Sequence, residues 1–303
     1  MRGQTIRVRI RTHFGEFLQG VFSDSFGMLV RALLSAPCAA FVVQGVFHPD
    51  NTGHLVVAPA SKRKALRAAY MVRDMFGAKS LGGILRLTSN IPPARGGGES
   101  TGDVQAAAEA VAAAIGVTLT PEVAAHICVA AETASDGIMF GDNAVLFAQR
   151  LGMVVEDFHG PIPEAIILGF DSAPDSDGVD TLAFPPAEYN DQEQRGFTVL
   201  RAALRRAICQ QDLELLARVS HQSAAANERF LPNRAYPHLA ELTMRGVCLG
   251  SIVSHSGTLA GAIFRPRDHA GVAEARRLLE CAGFSSFIQF NTRKEEEERS
   301  VAA

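Results

Sequence analysis

Ile91-Pro92-Pro93-Ala94-Arg95-Gly96-Gly97-Gly98-Glu99-Ser100-Thr101-Gly102-Asp103 is the stretch on which the fold turns. It joins the strand-like run Gly83 to Leu87 to an alanine-rich helical pattern, Asp103 to Ile115, that stops at Gly116, a residue suited to the left-handed turn after a helix. Consecutive glycines let backbone N–H groups approach a ligand without interference from a Cβ. The start of a helix adds unpaired donors and a partial positive charge. The segment is an anion site in principle. No Lys-Ser or Lys-Thr follows the glycines, and their spacing is not G-x-G-x-x-G, so neither the Walker loop nor the dinucleotide fingerprint is present. A second reading of Ser100 is a plain helix cap, with Asp103 three residues on as its capping partner.

Upstream of this segment the chain reads as short strands at Ile6 to Ile10, Ala39 to Val46 and His54 to Val57, with a helix from about Lys62 to Phe76. Downstream, Pro121 opens a helix through Ala131. His159-Gly160-Pro161-Ile162-Pro163 then interrupts any regular element. Past that break come a strand (Glu164 to Phe170), two helical patterns (Gln194 to Gln210, Leu213 to Arg229), strands at Ser251 to Val253 and Gly261 to Phe264, a helix (Gly271 to Cys281) and a strand (Ser286 to Phe290). That order suits helices stacked on one face of an antiparallel sheet. The reading is α+β in two lobes, residues 1–160 and 161–291, with 292–303 as a disordered, solvated tail carrying the Glu295 to Glu298 block.

Composition narrows the function. The chain has 303 residues, 47% of them hydrophobic, enough for two ordinary cores. With 29 basic against 32 acidic residues there is no excess positive charge to neutralise a phosphate backbone, so nucleic acid is not an expected partner. The cysteines Cys38, Cys128, Cys209, Cys248 and Cys281 are odd in number and spread out, and read as reduced core residues. Ile6, Val8 and Ile10 alternate with arginines, which is a half-buried strand and no signal peptide, and no long uncharged apolar run occurs. A cytoplasmic protein acting on a small molecule, without a membrane partner, is the expectation.

Pro92 to Asp103 resembles the Pro-x-x-x-Gly-x-x-Ser-Ser phosphate loop of the GHMP small-molecule kinases. More narrowly, it resembles the version ending Ser-Thr-x-Asp in the L-threonine kinases that feed cobalamin side-chain synthesis. Four further segments agree in order and spacing. Phe14 to Gly20 resembles the family's N-terminal Gly-Glu-Leu-x-Gln-Gly segment, and Asp136 to Phe140, preceded by Glu132, its acidic segment. Asn227 to Pro232 resembles a stretch of the C-terminal lobe, and Ser254 to Thr258 the third motif. These anchors span residues 14 to about 264. The resemblance implies an N-terminal mixed α/β lobe, a C-terminal ferredoxin-like α+β lobe and an active site between them. Magnesium-ATP would lie over the loop, with threonine as the acceptor.

The same resemblance assigns roles. Pro92, Gly96, Gly97, Gly98, Ser100 and Thr101 would hold the nucleotide, and Ser100 with Glu132 would hold Mg²⁺, a hard cation that takes oxygen ligands. Asp136 would orient or deprotonate the attacking hydroxyl. Glu16, Gln19, Ser256 and Gly257 would meet the substrate. Each has a plainer reading: an exposed helix-end charge for Glu132, a helix-ending turn with Gly137 for Asp136, and glycine-marked turns for the other two segments. His255 reads as a hydrogen-bonded structural histidine. Two positions depart from the family. Glu132 lies four residues before Asp136 where the family tends to have three, and Glu99 stands where the related kinases usually carry Ser. Two unit charges about 4 Å apart at an effective dielectric near 20 repel by roughly 4 kcal/mol. Glu99 therefore turns outward, or ligates Mg²⁺, or leaves a catalytically silent relative that binds a metabolite or partner.

Overall fold

The computed structural model describes residues 4–176, 178 and 188–293. Two long strands, β1 (Ile6–Ser23) and β2 (Leu29–Asp50), form an antiparallel ribbon that runs the length of the molecule. The sequence pattern shows only part of each. Register shifts at Arg11/Thr12, His13/Glu16 and Glu16/Leu18 break the alternation, so the period of two is lost although pairing continues. Phe14 to Gly20, read as the exit of a short strand, is therefore the bulged interior of β1. Its apolar residues Phe14, Phe17 and Leu18 are fully buried.

β3 (Leu55–Ala58), α1 (Arg63–Met75) and β4 (Gly82–Ser89) follow, then α2 (Glu99–Ala114), α3 (Pro121–Glu132), and a hairpin of β5 (Val145–Ala148) and β6 (Met153–Asp157) that the sequence reading did not foresee. α2 begins four residues before the expected Asp103, because Gly98, with φ of +72°, turns the chain directly into the helix. Ser100 is thus not the cap, and Asp103 is not its capping partner. α2 is nearly all alanine on its inner turns and is buried from Thr101 through Ala108, since small side chains let it pack against β1, β2, α1 and α3 together.

The second half contains β7 (Ile166–Asp171), α4 (Asp191–Gln210), α5 (Leu213–Asn227), α6 (Tyr236–Met244), β8 (Gly250–Val253), β9 (Leu259–Phe264), α7 (His269–Cys281) and β10 (Ile288–Asn291). A capping box at Asn190 and Glu193 starts α4. The strands stand in the order β10-β7-β9-β8, all antiparallel, which is the ferredoxin-like arrangement. One continuous sheet, β10-β7-β9-β8-β1-β2-β4-β3, carries both halves, joined where Glu16 pairs with Val253. The fold is the expected two-lobed α+β arrangement, with a large core under β1, β2 and α2 and a smaller one between β7, β9, α6 and α7.

Two expectations need correcting. Thr292, placed in the solvated tail, is buried; its backbone N–H donates to the Ala165 carbonyl and its Oγ1 accepts the Ala165 N–H, each at 3.0 Å, which fastens the end of β10 to β7. The rest of that tail, from Lys294, lies outside the described residues. Cys38, Cys128 and Cys248 are buried thiols, but Cys209 and Cys281 are exposed, on helix faces turned to solvent.

Candidate active site

The glycine loop leaves β4 and enters α2 across the seam between the halves. Gly96, at φ +84°, has no room for a side chain: a Cβ there would lie 1.8 Å from Ser254 Oγ. The Arg95 carbonyl accepts N–H groups from Thr258 (3.0 Å) and Leu259 (3.2 Å), so the Ser254 to Thr258 turn is seated on the loop. The Arg95 side chain points the other way, to Asp171 (3.0 Å) and the carbonyls of Ala173 and Pro174 (each 2.9 Å). The glycines thus serve close packing between the lobes as well as amide exposure. Gly257 is buried against the Arg95 carbonyl, so it supports the loop and does not line the cleft.

Glu99 has a partner that the sequence did not reveal. Lys62, just before α1, bonds Glu99 Oε1 at 2.6 Å and also bonds Asp103 one turn further along α2. Burial pushes the Asp103 carboxyl above the usual range, and the Lys62 ammonium opposes that push. The acidic side chain at the loop still lines the cleft, but it is ion-paired there with Lys62. Lys64, on α1, lies 3.4 Å from Ser100 Oγ and faces the loop with its charge.

Thr133, the last turn of α3, has a φ of +78°, which swings the chain so that Glu132 and Asp136 approach α2 from the same side. Ser100 donates to Glu132 Oε2 at 2.6 Å, and Thr101 Oγ1 donates to Glu132 Oε1 at 2.8 Å and reaches Asp136 Oδ2 at 3.3 Å. Glu132 is buried and not a solvated helix-end charge. Its pKa is pushed up to about 7 by burial, against the Ser100 and Thr101 hydrogen bonds.

His13 lies behind Asp136, its Nε2 2.9 Å from Oδ2. Burial pulls the His13 pKa down, but the charge of Asp136, its hydrogen-bonding contribution and the charge of Glu16 outweigh it, leaving it at about 9. Asp136 is held below the usual carboxylate range: burial would raise it, and His13 more than compensates. Glu16 is 1% exposed and accepts the His255 backbone N–H at 2.7 Å, while His255 Nε2 meets Ser223 Oγ at 3.2 Å. Glu16 is thus a buried bracket between β1 and the Ser254 to Thr258 turn, out of reach of a substrate, and His255 has the structural role expected of it.

Around these groups opens a cleft of about 780 Å³, within the usual range of small-molecule sites. Pro92, Gly96, Gly97, Gly98, Ser100, Thr101, Glu132 and Asp136 line it, with Gln19 and Ser256. Sequence reasoning missed His13, Lys62, Lys64, Arg31 and Gln149. Of these only His13, beside the Phe14-Gly15-Glu16 segment, sat near a motif.

The donor set can be tested against Mg²⁺. A hydroxyl and a carboxylate oxygen 2.6 Å apart, the latter a buried acid that no cation among the described residues bonds, suit a hard divalent ion. Among the described residues His13, Glu16 and Asp136 also cluster within metal-binding reach.

Residues 63–149 match the family model of the GHMP kinases N terminal domain. The matched region holds the phosphate loop, Glu132 and Asp136. Among solved structures, a homoserine kinase from Cytophaga hutchinsonii ATCC 33406 superposes with a TM-score of 0.69 at 11% identity, covering 95% of this chain and 94% of the other. The Methanococcus jannaschii mevalonate kinase gives 0.65 at 12%, covering 96% and 98%. A mevalonate pyrophosphate decarboxylase from Streptococcus pyogenes gives 0.68 at 12%, covering 97% and 98%. At such identities the likeness defines the fold. A sequence search among curated proteins finds no match.

Proposed function

We propose that the protein is a small-molecule kinase that transfers the γ-phosphoryl group of ATP to a hydroxyl of a small metabolite, with L-threonine, giving O-phospho-L-threonine for cobalamin side-chain synthesis, as the acceptor. The observation that carries this reading is the convergence of the Gly96 to Thr101 amides, the Ser100–Glu132 pair and the Asp136 carboxylate on one cleft. Phosphoryl transfer asks for placement and charge neutralisation more than for covalent help. Threonine rests on the sequence resemblance of the loop, the acidic segment and the third motif.

In this reading the loop amides and the N-terminus of α2 hold the phosphates, and Lys64 adds a mobile positive charge beside them. Ser100 and Glu132 would hold Mg²⁺, which supplies charge neutralisation at the phosphates when bound. The acceptor oxygen attacks the γ-phosphorus, the bond to the bridging oxygen of ADP breaks, and the hydroxyl proton passes to Asp136. A carboxylate held low by His13 is a weak base but a fixed, charged acceptor. It suits orienting a hydroxyl through a loose transition state in which proton transfer is late. Glu99, the one side chain that argued for a silent relative, is paired to Lys62 and so does not oppose a triphosphate.

Purified protein with Mg-ATP and L-threonine should release ADP and form O-phosphothreonine, and Asp136→Asn should lower kcat at least ~100-fold. No ADP release with threonine, serine or homoserine, together with no rise in Tm on adding Mg-ATP, would sink the proposal.

A further inference from the structure

The end of the cleft away from the phosphate loop is built from three adjacent strands. Gln19 of β1 pairs with Leu33 of β2, and Arg31 lies two residues along β2 on the same face. On the other side of β2, Leu33 pairs with Phe147 of β5, and Gln149 is the first residue beyond that strand. All three residues line the cleft.

Their polar atoms are not satisfied. Arg31 Nε is buried without a hydrogen-bond partner, and so is Gln149 Oε1, on a side chain only 9% exposed. Arg31 makes no ion pair with any described residue, and folded proteins seldom leave a buried donor such as its Nε without a partner. The two neighbours are a donor and an acceptor, yet they do not bond each other. Asp136 is close by in the chain's geometry, since the Ser135 N–H donates to the Gln149 carbonyl at 2.9 Å. Tyr189 closes the far side, where burial pushes its hydroxyl up and the charge and a side-chain hydrogen bond of Arg31 oppose that push.

We propose that Arg31 and Gln149 form the acceptor's polar-head subsite, with the Arg31 guanidinium taking a carboxylate and the Gln149 amide oxygen a neighbouring ammonium or hydroxyl. The inference rests on the kinase reading and narrows its substrate class to hydroxy acids bearing a second hydrogen-bond donor. A guanidinium matches a carboxylate with two parallel bonds, which an alcohol cannot replace, and a buried polar site left unpaired rejects the analogue strongly.

The test compares L-threonine with L-threoninol, in which the carboxylate becomes a hydroxymethyl group while the reacting hydroxyl and ammonium are kept. Wild-type kcat/KM should favour threonine by at least ~100-fold. Arg31→Leu should bring the ratio within about threefold by losing threonine activity alone, with Arg31→Lys keeping part of the preference. Gln149→Leu should narrow the preference for threonine over 3-hydroxybutyrate, which lacks the ammonium. If Arg31→Leu slows both acceptors equally, or the wild type does not discriminate between them, the subsite is overturned while the kinase reading stands. If neither acceptor is turned over, the subsite is overturned, and the kinase reading falls with it only when serine and homoserine also release no ADP and Mg-ATP leaves the Tm unchanged.

Discussion

Lys62 Nζ lies 2.6 Å from Glu99 Oε1, so the one acidic side chain of the phosphate loop is bound by a lysine from the neighbouring helix start. Lys62 also holds Asp103, and burial, which would lower its pKa, is outweighed by these two carboxylates.

Removing that lysine should expose the repulsion that it cancels. At about 4 Å and an effective dielectric near 20 the repulsion is roughly 4 kcal/mol, and both partners are about one-fifth exposed, so solvent will screen part of it. Lys62→Met should weaken Mg-ATP binding by about 10- to 100-fold in a calorimetric titration. Adding Glu99→Ser to that variant should recover most of the loss. Unchanged affinity in Lys62→Met would mean that Glu99 does not face the phosphates even when free.

The His13–Asp136 pair makes stability depend on pH in a known direction. His13 is raised from 6.5 to about 9 in the folded chain, so its contribution is complete below about pH 6.5 and is lost as pH rises through about 9. The shift corresponds to on the order of 3 kcal/mol. The wild-type Tm should fall between pH 7 and 10, and His13→Asn should be less stable at pH 7 but show a flatter profile. A wild-type Tm that is level across that window would refute a protonated His13.

Glu132 should show a conflict between stability and activity. Its pKa is raised from 4.5 to about 7 by burial, so at pH 8 the folded chain carries an unfavourable buried charge. Glu132→Gln keeps an acceptor for Ser100 and Thr101 but removes the charge. We expect its Tm to rise by about 2 °C or more at pH 8 while Mg²⁺-dependent turnover is lost. A lower Tm would mean that the charge is already compensated in the free enzyme.

Much of the fold was legible because it is local. Thr120 with Pro121 marks the start of α3, and the alternation over Ile6 to Ile10 marks the start of β1. β5 and β6 are short, four and five residues, and β6 is at most half-buried, so neither shows a clear period of two. The true start of α2 was missed because a left-handed glycine, with no side-chain cap, leaves no capping signature. Asn190 and Glu193 form a capping box whose Asn190 cap lies four residues before the expected start at Gln194.

The sequence by itself determined which groups could do chemistry: the glycine run, the hydroxyls of Ser100 and Thr101, and the carboxylates of Glu132 and Asp136, whose order and spacing are properties of the chain. Only the tertiary structure decided how those groups are charged and which of them a ligand can reach. His13 and Asp136 are 123 residues apart in sequence yet 2.9 Å apart in space, and Lys62 meets Glu99 from another helix. Desolvation and pairing act through space at a few ångströms, so neither the protonation of His13 nor the neutralisation of Glu99 is written in the local sequence.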